Sequence, residues 1–151
     1  MQEVLQSDSW FYTGLTKEQY DNAVKEGFIE PVNLGNEIEQ HSGIRFGIVI
    51  SKEEACIDGY IEGYLTRLYG ECRFSKILVK IPQGTILHSL IVDDEGHPLS
   101  HITTLSIPIA NSKHIGDLTA SPKLVEEVLI EPIKEEELGT RLSPVEPLSL
   151  D

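Results

Sequence analysis

The stretch Trp10-Phe11-Tyr12-Thr13-Gly14-Leu15-Thr16-Lys17-Glu18-Gln19-Tyr20-Asp21-Asn22-Ala23-Val24-Lys25-Glu26-Gly27-Phe28 holds a strand, a helix and the signals that separate them. Trp10 to Thr13 is a short aromatic run of the kind that fills a strand. Thr16 suits an N-cap, and Gln19, at the third helical position, completes a capping box. Leu15 and Tyr20 occupy hydrophobic-staple positions. Tyr20, Ala23 and Val24 give the helix an apolar face, and Gly27 supplies its C-terminal stop. Phe28 and Ile29 re-enter the core.

Outward from this unit, Met1 to Asp8 reads as a short flexible lead. Pro31 to Ser42 is polar and lacks periodicity, and reads as a loop. Ile44 to Ile50 is a second strand, apolar enough to be central. Ser51 is expected to cap a second helix, with Glu54 closing the box. Ala55, Cys56, Tyr60, Tyr64 and Leu68 follow at helical spacing. Gly59 and Gly63 each cost that helix about 1 kcal/mol relative to alanine, which is tolerable if their face packs closely against backbone or a ligand.

The second half is strand-rich. Lys76 to Ile81 and Thr85 to Val92 read as strands joined by a Pro82-Gln83-Gly84 turn, and Asp93 to Gly96 forms another turn. Thr103 to Ile109 is a weaker strand and Asn111 to Pro122 a polar loop. Glu127 to Ile133 is a strand whose Pro132 marks an edge or bulge. Helices early and strands late predict an α+β fold rather than a doubly wound parallel sheet. The expected organisation is one domain over 9–138, followed by a disordered, acidic, proline-containing tail over 139–151.

The chain has 151 residues and a net charge of −13, from 25 acidic and 12 basic side chains. That balance argues against a nucleic-acid partner held by phosphate neutralisation and against an anionic membrane surface. It fits a basic protein partner, or plain solubility. Cys56 and Cys72 make no disulfide framework, so reduced thiols and a cytoplasmic setting are expected. The first residues have no apolar signal-peptide core, and no apolar run approaches the roughly 20 residues of a membrane span. No phosphate-binding glycine loop, zinc helix or nucleophile elbow is present. His97 and His101 stand four apart, but Pro98 spoils a helical metal pair, and no metal is expected. Cys72 with a histidine would make a third, hydrolytic reading.

The order of these elements resembles the ADP-ribosyltransferase superfamily. The resemblance runs from Trp10 to Ile133: an aromatic strand ending in Tyr12-Thr13-Gly14, a helix closed by Lys25-Glu26-Gly27-Phe28, a strand ending at Ser51 before a helix, and Val125-Glu126-Glu127-Val128-Leu129 opening a late strand. It implies two small, mostly antiparallel sheets around a cleft, with two helices in the N-terminal half. It also implies NAD as a substrate and transfer of ADP-ribose to a macromolecule, a protein more readily than a nucleic acid, as a toxin, effector or phage-type modifier. Glu127 matches the catalytic glutamate and Ser51 the second motif. Tyr12, Thr13, Gly14, Phe46 and Tyr60 fall at cofactor-contacting places. The first motif lacks the family's Arg or His, and Arg45 would stand in for it. The alternative is a non-catalytic, acidic inhibitor or immunity-type module, on which Ser51 is a cap, Tyr12 a core aromatic and the glutamates solvated.

Overall fold

A computed structural model describes residues 2–92 and 94–122. The segments over Glu126, Glu127, the late strand and the tail lie outside the described residues. The Trp10–Phe28 unit forms as read. Strand β2 covers Ser9–Thr16 and helix α1 covers Lys17–Glu26. Thr16 Oγ1 accepts from the Gln19 amide, Gln19 Oε1 accepts from the Thr16 amide, both at 3.0 Å, and Gly27 ends the helix at φ 95°. Ala23 is buried, whereas Val24 is 51 % exposed and leaves the apolar face.

The remaining elements are β1 (Gln2–Val4), β3 (Phe28–Ile29), β4 (Val32–Asn33), α2 (Gly35–Ser42), β5 (Phe46–Ser51), α3 (Glu54–Tyr60), a π-helical turn (Ile61–Leu65), α4 (Thr66–Tyr69), β6 (Cys72–Ile81), β7 (Ile86–Val92), β8 (Pro98–Thr103), β9 (Ile107–Pro108) and β10 (Ser112–Ala120). An α+β fold results, with antiparallel pairing throughout the described ladders. Its sheets are unequal: eight strands, ordered β1-β7-β8-β5-β2-β6-β10 with β4 on β5, and a two-stranded β3–β9 pair.

Strand alternation sorts the core into two layers. Phe11, Leu15, Ile48, Ile50, Ile77 and Val79 meet Ala23 of α1 and Ile29 and Ile107 of the small sheet on one face. Val49, Phe74 and Ile102 meet Leu34 and Ile38 of α2 and Ile57, Ile61 and Leu65 of the long helical stretch on the other.

Several expectations are corrected. Met1 to Asp8 carries β1, which pairs with β7. The expected loop over Pro31 to Ser42 contains β4 and α2. Only Leu34 and Ile38 anchor α2, too few to show periodicity, and Asn33 Oδ1 accepts from the Gly35 amide at 2.9 Å to start it. Ser51 ends β5 and does not cap α3. Its hydroxyl donates to the Leu99 carbonyl and accepts from the Glu53 amide at 3.0 Å, while Glu54 turns to Lys76. The buried stripe of α3 and the π-helical turn after it is Ile57–Ile61–Leu65, with Ala55 exposed and Tyr60 and Tyr64 half-buried at its flank. Gly59 and Gly63 face open space rather than a packed surface. Asn111 to Pro122 holds β10, a strand that its polar side chains concealed. It is joined to β6 by the backbone ladder from Ser112↔Val79 to Ala120↔Cys72, with an irregularity at Ile115.

The glycines give a test with opposite signs. A Cβ on Gly47 would lie 2.6 Å from Ile102 Cγ2 and 3.1 Å from the Thr103 carbonyl. Gly47→Ala should destabilise by about 1–3 kcal/mol, as overpacking does. Gly59→Ala, on an open helical surface, should stabilise by about 1 kcal/mol. Urea denaturation of both variants measures the two shifts.

Candidate functional site

Strand β2 touches β5 through two residues, Tyr12↔Ser51 and Thr13↔Ile50. Register partners share a face, so Tyr12 and Ser51 lie on the face that carries α3. Tyr60 comes to the same layer from the helix, since Tyr12, Tyr60 and Tyr64 all pack against the second core cluster. Tyr12 and Ser51 are thus direct neighbours, and Tyr60 packs against the same core cluster. Thr13 turns to the opposite face with Ile50, and its hydroxyl donates to the Val49 carbonyl at 2.7 Å.

Each of these residues has a local reason for its position. Gly14 is a packing contact: a Cβ there would fall 2.7 Å from Ile61 Cγ1 and 2.8 Å from its Cδ1, so α3 can cross β2 this closely only over a glycine. Ser51 is fully buried and both of its polar contacts are to backbone. Tyr60 stacks on Tyr64 with ring centroids 5.9 Å apart, and burial, then Tyr64, pushes its hydroxyl well above the usual phenol range. Tyr64 donates to the Leu34 carbonyl, and burial, with Glu37 adding to it, pushes its hydroxyl up to about 12. Among the described residues, neither the Tyr12 nor the Tyr60 hydroxyl has a hydrogen-bond partner.

Arg45 and Phe46 do not join this group. Arg45 is committed to the α2 corner, donating from Nε to Asn33 Oδ1 at 3.1 Å and from one terminal nitrogen to Asn36 Oδ1 at 2.7 Å and Glu39 Oε1 at 2.8 Å. There it lines an open groove of about 300 Å³ with Asn33, Asn36, Leu68 and Tyr69. Phe46 alternates with Ile48 and Ile50 toward the other face and is 57 % exposed. Strand alternation places Phe46 on the opposite face from Ser51, whereas Arg45, just ahead of β5, is held away by its hydrogen bonds to the α2 corner.

Two charged clusters went unread. Lys76, directly across from Gly14, reaches Asp58 at 2.6 Å and Glu54 at 2.7 Å and fastens α3 to β6. Its place in an alternating strand was the available signal. Asp117 on β10 is a hub: it accepts from Ser75 Oγ at 2.7 Å and pairs with His114 Nε2 at 2.8 Å, with Arg73 at 3.4 Å and Lys17 at 3.7 Å. Nothing in the sequence marked Asp117, because its segment reads as a loop.

His97 and His101 do not converge. His97 lies 3.6 Å from Glu95, while buried His101 lies 3.2 Å from Glu3 without an aligned hydrogen bond, and burial lowers its pKa. Among the described residues no three His, Cys, Asp or Glu side chains gather as a metal would require. Burial pushes the Cys72 thiol up, away from the thiolate a nucleophile needs. No helix among the described residues is long and apolar enough to cross a membrane. No protein-family model, curated protein or solved structure matches the chain.

The Asp117 hub predicts a pH dependence. Hydrogen bonds from Ser75 and then His114 hold its carboxyl at about 2, below the ordinary 3.8. A depressed folded-state pKa contributes stability above the ordinary value and loses it as pH falls toward 2. Asp117→Asn should therefore cost about 1–2 kcal/mol at neutral pH, with its side chain 18 % exposed. The difference from wild type should shrink between about pH 4 and pH 2, as read by thermal denaturation across that range.

Proposed function

We propose that the chain is an ADP-ribosyltransferase-like domain that takes NAD as a substrate and passes ADP-ribose to a macromolecule. The observation that carries this reading is the Tyr12↔Ser51 register, which sets the first and second motifs side by side, with Tyr60 on the following helix. In this reading Tyr12 and Tyr60 supply ring faces and unpartnered hydroxyls to the substrate. Ser51, Thr13 and Gly14 build the frame. Glu127 is the carboxylate that stabilises positive charge developing on the ribose as nicotinamide leaves, an electrostatic contribution that grows in a water-poor cleft. The cleft between two sheets belongs to the same proposal, with Glu127 on the strand that would close it. Arg45 and Phe46 take no part in it.

A second reading has its own observation. The Thr13 and Ser51 hydroxyls are both spent on backbone carbonyls, as in a non-catalytic, acidic binding module built on a similar scaffold.

Saturating NAD separates the two readings. At 100 times the dissociation constant it should add about 2.7 kcal/mol of stability, visible as a thermal shift. Nicotinamide should be released when cell lysate supplies an acceptor, and Glu127→Gln should abolish that release with the melting temperature unchanged. Neither a shift nor release would leave the binding module, whose basic protein partner should be captured at low salt and lost at high salt.

A further inference from the structure

We propose that the strip of the sheet beside Tyr12, exposed among the described residues, binds single-stranded nucleic acid. Strands β2, β6 and β10 lie side by side. Trp10 is opposite Lys80, Tyr12 opposite Leu78, and Lys113 opposite Leu78 from the other side. Register partners share a face, so these five side chains form one surface. The helix crosses that face farther along β2, over Gly14. Trp10 is 39 % exposed, Lys113 is exposed, and Tyr12, Leu78 and Lys80 are half-buried.

The charge on this strip is reversed relative to the chain. Among the described residues, Lys17, Arg45, Arg67, Arg73 and Lys76 each have a carboxylate within ion-pair distance. Lys25 on α1, Lys52 over the Phe11 ring, Lys80 and Lys113 have none among the described residues, and the last two of these lie on this strip. Lys113 Nζ lies over the Trp10 ring, 4.9 Å from its centroid, so a base stacking on that face displaces the ammonium toward its phosphate. Two unneutralised ammonium groups flanking an exposed indole, with a half-buried phenol two residues along the same strand, are the components of a stacking platform. Bases stack on the rings and lysines meet the phosphates. An acidic peptide would use the lysines but leave the ring faces idle. The net charge of −13 disfavours a general polyanion surface but not this local one.

This inference does not depend on the transferase reading, and its test contains no NAD, so the two can fail separately. Trp10 is the chain's single tryptophan, so its emission reports directly on the strip. The full chain is titrated with a fluorescently labelled short oligothymidylate at low salt, following tryptophan emission and oligonucleotide anisotropy. Saturable quenching and rising anisotropy are expected, with a salt slope of about −0.7 per neutralised phosphate. The Lys80→Gln/Lys113→Gln double variant should bind about ten-fold more weakly and flatten that slope by about 1.4, two contacts' worth. Trp10→Leu should weaken binding roughly five-fold or more. If Trp10→Leu fails to fold by circular dichroism, the double lysine variant decides. Silence in both signals, unchanged affinity in the double variant, equal binding of heparin, or tighter binding of polyglutamate would each overturn the proposal.

Discussion

The two-residue contact between β2 and β5 holds the molecule together. On one side of it stand β1, β7, β8 and β5; on the other, β2, β6 and β10. Tyr12↔Ser51 and Thr13↔Ile50 are the register between them, reinforced by the buried hydrogen bond from Thr13 to the Val49 carbonyl. So short a ladder supplies little on its own. It holds because each face of the sheet is packed across the seam: Phe11 with Ile48 and Ile50 under α1, and Ile57 and Ile61 with Val49 and Phe74 on the helical side. The helix can lie low enough to bridge the seam only because Gly14 has no side chain. The motif glycine, the buried threonine and the buried serine are therefore parts of one mechanical joint, and the half-buried tyrosines are its exposed margin.

Electrostatics follow the same division. In so acidic a chain, most described cations are spent where elements must be fastened: Lys76 ties α3 to β6, Arg45 ties the start of α2 to β5, and Asp117 gathers α1, β6 and β10. Exposed pairs of this kind each contribute little, roughly 0–1 kcal/mol. The Lys76 and Asp117 clusters gain from shared hydrogen bonds and partial burial. Among the described residues Lys25, Lys52, Lys80 and Lys113 are left without a carboxylate partner, and two of these four, Lys80 and Lys113, stand beside Trp10. Net charge is a property of the whole chain; recognition depends on where the unpaired charges sit.

The local rules written into consecutive residues were legible. The Thr16–Gln19 capping box, the left-handed Gly27 stop, the central β5 and the turn at Gly84 are each set by neighbours within a few positions, and they appear as read. The α+β class followed from their order. Of the candidate site, the expected convergence was of Tyr12, Ser51 and Glu127; Tyr12 and Ser51 are register partners, and Glu127 lies outside the described residues. Short elements with few anchors were not legible. Helix α2 buries only Gly35 and Ile38 along its length, and β10 presents polar side chains because its hydrogen bonds, not its side chains, hold it to β6.

The sequence by itself determined the acidic character, the α+β class and the first strand–helix unit, because composition, caps and short-range periodicity need no distant partner. Tertiary structure alone decided that Gly14 lies beneath a helix, that Ser51 closes a joint rather than caps a helix, that Arg45 is committed to α2, and that Phe46 lies on the face opposite Tyr12. It also decided that Trp10, Lys80 and Lys113, 10, 80 and 113 residues into the chain, share one face. The physical reason is that register and sheet order are set by which distant faces must be buried together, and a residue's neighbours in sequence carry no record of that choice.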